Sequence, residues 1–171
     1  MELWTWQSNG FDISKDNVNL SLSKYQIGNQ AYIPAVQQLC HELGMQQVIW
    51  CYTNPDDRIA TQKNQDELGY KITLPVNAIF AVLDSAVWCH IIGNPTFPRS
   101  TLVEWQHQAI ELGVDLEEHE EQQKSLFRSK YPAPADLWKD LFVAPALVNP
   151  TSDKHQVVVP APIHPDWVTP L

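Results

Sequence analysis

Strand-like and helix-like segments follow one another along this chain without a regular alternation, and no glycine fingerprint opens any helix. A doubly wound sheet needs repeated strand–helix–strand crossovers, so their absence favours an α+β arrangement. The expected fold is a single domain over residues 1–171 with small mixed or antiparallel sheets packed with three or four short helices. A Pro-rich exit from about residue 160 to 171 is expected to be irregular, extended or edge-like, because proline has no N–H to give a ladder.

Local patterns supply the elements. "LWTWQ" has strand composition and ends in the turn signal Ser-Asn-Gly, and "NVNLSLS" alternates Val18, Leu20 and Leu22 with polar residues. "IPAVQQLCHELG" reads as a helix: Pro34 suits its first turn, Val36, Leu39, Cys40 and Leu43 form one stripe, and Gly44 suits the position after its end. "QQVIWCY" is a strand with "TNPDDR" as its exit turn, and "TQKNQDELG" reads as a polar surface connection. "YKITLPVNAIFAVLD" is either two short strands around Pro-Val-Asn or one strand that Pro75 confines to an edge. "SAVWCHIIGNP" follows as a short helix with Ser85 as N-cap and Gly93 at its end. "TLVEWQHQAIELGVDLEEHEEQQ" is helical, with capping-box spacing at Thr101 and Glu104 and a stripe of Leu102, Trp105, Ala109, Leu112 and Leu116. Gly113 weakens that helix and is a place for it to end early. "PADLWKDLF" is a further short amphipathic turn or helix, and "HQVVV" a last strand.

Charge and cysteine usage narrow the function classes. The net charge of −9, with 11 Lys and Arg and no run of them, argues against nucleic acid and against anionic membrane surfaces as partners. No apolar run is long enough to span a bilayer, and "MELWTWQSNG" carries no secretory pattern. Three cysteines, Cys40, Cys51 and Cys89, form no CxxC and fit a reducing compartment, so a cytoplasmic location is expected. At 44% hydrophobic residues over this length, the chain needs no disulfide or metal to close a core.

Metal is not expected. Cys40-His41 and Cys89-His90 are adjacent pairs on helices, where neighbours point about a hundred degrees apart, so each pair offers one ligand. In "DLEEHEEQQ" the acids are consecutive and spread around a helix instead of converging. Of the seven tryptophans, Trp50, Trp88 and Trp105 suit a core, while Trp4 and Trp6 share one face of the first strand.

Two stretches remain as site candidates, "VIWCYTNPDDR" and "FAVLDSAVWCHIIGN". In each, an apolar strand runs into polar residues at its end, where ligands commonly sit. On that reading Arg58 holds an anion, Trp50, Tyr52 or Trp88 stacks on a ring, and Asp84, Ser85 and His90 act as acid, capping or orienting groups. The alternative is an Asx-type turn at Asp56 and Asp57 with Arg58 paired at the surface.

These blocks resemble the domain-of-unknown-function 3841 family of uncharacterised bacterial proteins. Its LWT-x-Q opening strand is similar to Leu3, Trp4, Thr5 and Gln7, and its W-x-W strand before P-D-L-R is similar to Trp50, Pro55, Asp56 and Arg58. A strand ending in Ser-Asp before a W-H…N helix resembles the stretch with Trp88, His90 and Asn94, though here the pair is reversed as Asp84-Ser85. W-x-x-I-F resembles Trp138, Leu141 and Phe142, and an I-Q-A strand resembles the one holding Gln156. The resemblance implies polar groups at four strand ends, Gln7, Arg58, Asp84 and Gln156, collected by one pocket, but no established activity. The architecture is also similar to that of ADP-ribosyltransferase-like proteins, whose small members clamp NAD in a cleft between two sheets. That likeness implies NAD or a nucleotide as ligand, with Gln7 nearest the place of the usual first-strand His or Arg and no clear catalytic Glu. Two functions are therefore expected as alternatives. One is a small-molecule or nucleotide pocket at strand ends, and the other is a non-catalytic, antitoxin-like or phage-defence accessory module whose acidic helix holds a basic protein partner.

Overall fold

Among the described residues, seven strands form two antiparallel sheets that meet at a corner. The computed structural model describes residues 1–8, 11–15, 30–55, 67–93, 95–148 and 152–171. Its strands are β1 (Glu2–Ser8), β2 (Val48–Cys51), β3 (Glu67–Thr73), β4 (Ala81–Asp84), β5 (Phe142–Val143), β6 (His155–Pro160) and β7 (Val168–Pro170). One sheet has the order β1-β3-β7 and the other β2-β6-β4-β5. Trp4 and Tyr52 exchange both backbone hydrogen bonds, at 2.9 and 2.7 Å, and so join the two sheets through β1 and the end of β2. The strand "NVNLSLS" lies outside the described residues.

The pleat of β6 explains why its sequence is a continuous apolar run. Val158 packs with Leu39, Val48, Leu83, Val87 and Trp88 in the core between the four-stranded sheet and the helices. Val157 and Val159 point the other way, into a second core with Leu3, Ile49, Ile72 and Val82 between the sheets. A strand covered on both faces has no polar side to show.

The helices are α1 (Tyr32–Leu43), α2 (Ser85–Ile91), α3 (Arg99–Leu112), α4 (Leu116–Lys130) and α5 (Pro134–Leu137). Helix α1 buries Tyr32, Ala35, Leu39 and Cys40 on one stripe, and Gly44 ends it in the left-handed region at φ 64°, its N–H and that of Met45 closing on the last carbonyls. Pro75 lies between β3 and β4, so the two-strand reading of that stretch is the observed one.

Four local expectations are corrected. The polar stretch at 61–69 is not wholly a connection, because Glu67, Leu68 and Gly69 already pair with Ser8, Gln7 and Trp6. Gly69 fits closely there: a Cβ would lie 3.0 Å from the Leu171 side chain and 3.2 Å from the Trp6 indole nitrogen, and both would have to give by a few tenths of an ångström. Ser85 is not the cap of α2; the carboxylate of Asp84 accepts from the Val87 N–H at 3.0 Å. Thr101 and Glu104 form no capping box, because α3 begins at Arg99 and its first amides are capped from afar by Asp153, at 2.8 Å to Arg99 and 3.2 Å to Ser100. The early end expected at Gly113 is observed: Gly113 (φ 65°) closes α3, and Asp115 opens α4 through the Glu118 N–H. Of the predicted stripe only Ala109 is buried and Trp105 half-buried, since α3 packs mainly on α4.

The Pro-rich exit is edge-like, as expected. β7 pairs Tyr70, Lys71 and Ile72 along the outer side of β3.

Candidate functional site

Polar residues meet at one end of the four-stranded sheet, where β2 ends, β4 ends and β6 begins. Asp84 faces His155 across the β4–β6 ladder, and the Ser85 N–H donates to the Lys154 carbonyl at 2.8 Å. Cys51 pairs with Val157, so Thr53 and His155, each two residues further out, share the face of those two buried side chains. Three polar atoms at this end are buried without a hydrogen-bond partner among the described residues: Thr53 Oγ1, Ser85 Oγ and His155 Nδ1. Thr53 and Ser85 are 5% and 6% exposed, which leaves solvent little access to them. Buried polar atoms are nearly always paired, so three such atoms at one end call for a partner beyond the described side chains, such as water or ligand.

The electrostatics favour hydroxyl or amide groups over a bare phosphate. Burial pushes the His155 imidazole below its ordinary range; the Asp84 carboxylate opposes this and the Lys154 ammonium adds to it. Lys154 is itself bonded to Glu104 at 2.6 Å and does not stand free as an anion ligand. The thiols do not qualify as nucleophiles. Burial pushes Cys51 far up, and it raises Cys89, where the Thr96 hydrogen bond pulls the other way and Asp84 raises it further.

Asp84 and Ser85 lie at this strand end, while the other candidates disperse. Gln156 sits beside His155 but pairs with Leu83, and the pleat sends it to the helix side of the sheet. Gln7 is at the opposite end. β1 runs antiparallel to β2 from the Trp4–Tyr52 corner, and the buried Gln7 amide donates to Thr5 Oγ1 at 2.7 Å. A pocket collecting both Gln7 and Asp84 is therefore not formed by these strands. Trp88 is 3% exposed and stacks on the half-buried Trp50 with ring centroids 4.7 Å apart, so this pair builds core instead of offering a face to a ligand. Tyr52 meets Trp6 edge to face at 5.7 Å. His90 is taken up by packing: its ring clusters with those of Phe97 and Phe127, which also touch each other, and Nδ1 bonds the Ala86 carbonyl at 2.8 Å. Arg58, with Asp56 and Asp57, lies outside the described residues.

Sequence reasoning passed over Thr53 and His155. The signal was their spacing, each two residues beyond a buried strand residue on the same face, which becomes visible only once the β2–β6 register is known. No cluster of three or more His, Cys, Asp or Glu suited to a metal occurs among the described residues. No helix among them is long and apolar enough to cross a membrane. Comparison of the chain with protein-family models, with curated proteins and with solved structures gives no match.

Proposed function

We propose that the protein binds a nucleotide through its ribose at the strand end formed by Thr53, Asp84, Ser85 and His155. The carrying observation is the trio of buried, unpartnered polar atoms on Thr53, Ser85 and His155 beside the Asp84 carboxylate. Vicinal hydroxyls both donate and accept, and so complement two hydroxyls, an imidazole nitrogen and a carboxylate. Two antiparallel sheets joined at a corner support the likeness to ADP-ribosyltransferase-like proteins, and with it NAD as the first nucleotide to try. The order of sequence blocks supports kinship with the domain-of-unknown-function 3841 family, and three free cysteines support a cytoplasmic location. Transfer or hydrolysis of an ADP-ribosyl group is the reaction class this reading carries.

The test is calorimetric titration with NAD, ADP-ribose and adenosine, on the parent and on Ser85→Ala and Thr53→Val. Each variant removes an unpaired buried hydroxyl, so the free protein should be as stable or slightly more stable. Affinity for all three compounds should fall about five-fold, the equivalent of one hydrogen bond of about 1 kcal/mol. Unchanged affinity in both variants, or no heat from any of the three compounds, would remove the reading.

A second reading keeps the acidic module. Helix α4 carries Glu117, Glu118, Glu120 and Glu121 in its first half, while Ile110 and Leu126 on the α3–α4 pair are 70% and 62% exposed. A basic protein bound there should dissociate as salt rises.

A further inference from the structure

A cavity of about 530 Å³ opens at the other end of β6, between the β3–β4 connection and the β6–β7 connection. Val159, at its wall, is four residues from His155, or roughly 13 Å along a strand, so this is a different place from the polar strand end. Its walls are Leu74, Ile79, Val159, Ile163 and Trp167 with alanine and prolines, and its polar lining is Ser14, Asn77 and His164. No Asp, Glu, Lys or Arg lines it. Size and lining match the usual small-molecule site, mostly apolar with a few polar groups. Pro160, Pro162 and Pro165 fix φ along one wall, so little chain ordering is needed when a ligand enters. Ile79 is 70% exposed at this cavity, apolar surface that an occupant would take out of water.

Two aromatic groups give the cavity its selectivity. The rings of His164 and Trp167 lie 5.6 Å apart and only 32° from parallel, a side wall suited to a flat ring. His164 Nδ1 lies 3.3 Å from the Asp166 N–H and 3.7 Å from the Asp166 carboxylate; in the neutral ring that accepts the nearer N–H, the proton sits on Nε2, which can donate. Ser14, the hydroxyl on the rim, already donates to Asp12 at 2.5 Å. We infer that this cavity binds a neutral, flat, two-ring-sized heteroaromatic compound that accepts a hydrogen bond from His164.

Quinoline and naphthalene serve as probes, nearly identical in shape and differing in the ring nitrogen that accepts. Methyl resonances of Ile79, Val159 and Ile163 are followed in the full chain during titration with each. Quinoline should shift all three and saturate, and naphthalene should bind about five-fold more weakly, the difference of one hydrogen bond. His164→Phe keeps a ring against Trp167 and should erase that difference; being exposed, the position tolerates the change. Ala78→Phe, which places a ring in the cavity, should weaken both shifts. Quinoline that leaves the three methyls unmoved, or that keeps its advantage over naphthalene in His164→Phe, would overturn the inference.

Discussion

The hydroxyl of Thr5 donates to the carbonyl of Trp50 at 2.8 Å, at the point where β1 and β2 part. One residue earlier the two chains exchange backbone bonds at Trp4 and Tyr52. A continued ladder would give the Trp50 carbonyl to the Trp6 N–H; a side chain takes it instead, and β1 is free to turn into the second sheet. Gln7 then donates back to the same hydroxyl. Thr5 is thus both hinge pin and hydrogen-bond relay, buried at 1% exposure.

Thr5→Val should therefore cost roughly 2 kcal/mol, because it leaves a carbonyl and an amide without a partner in the interior. Thr5→Ser keeps the hydroxyl and should recover most of that loss. Urea unfolding of the three proteins decides it. Equal losses in both variants would mean that the methyl group, not the hydroxyl, carries the effect.

Asp153→Ala should free the first turn of α3. That carboxylate accepts from the Arg99 and Ser100 amides and from the Ser100 hydroxyl, across more than fifty residues of sequence. A lost cap costs about 1 kcal/mol. Hydrogen exchange should quicken at Arg99 and Ser100 while Val158, in the middle of the sheet, keeps its protection.

Trp88→Leu should cost roughly 2–3 kcal/mol, given a fully buried ring touching both Tyr32 and Trp50. Trp50→Leu should cost less, because Trp50 is only half-buried. Both should abolish the exciton couplet that two indoles 4.7 Å apart give in circular dichroism. A couplet surviving either change would place its source in another pair of rings.

Stability should fall as pH drops below about 6.5, the ordinary histidine value. His155 is held below that value in the folded protein, chiefly by burial, so the unfolded chain takes up the proton first. Stability from this group is then full above about pH 6.5 and lost as pH falls toward the folded value. His155→Gln should flatten the decline between pH 7.5 and 5.5 in urea midpoints. A decline of the same slope in the variant would assign it to other groups.

The sequence by itself determined the elements whose cause is local. α1 is legible because its stripe, its proline and Gly44 all act within one helix. The stop at Gly113 is equally local, a positive φ that glycine adopts without strain, while Pro75 left two readings that the strands decided. The α+β class follows from the same segments taken in order.

What only the tertiary structure decided involves partners far apart in the chain. Glu67, Leu68 and Gly69 read as connection and are strand, because β1 lies alongside and pairs with all three. Helix α3 is capped by Asp153, which no spacing rule within the helix could reveal. The site shows the same division. Asp84 and Ser85 were legible as polar residues at a strand end, but Thr53 and His155 join them through a register set by β6. Gln156 and Gln7 leave for another reason: the pleat turns one away, and antiparallel pairing carries the other to the far end. Propensity and turns act over a few residues, whereas register, pleat and the direction of a paired strand come into being only when the sheets assemble.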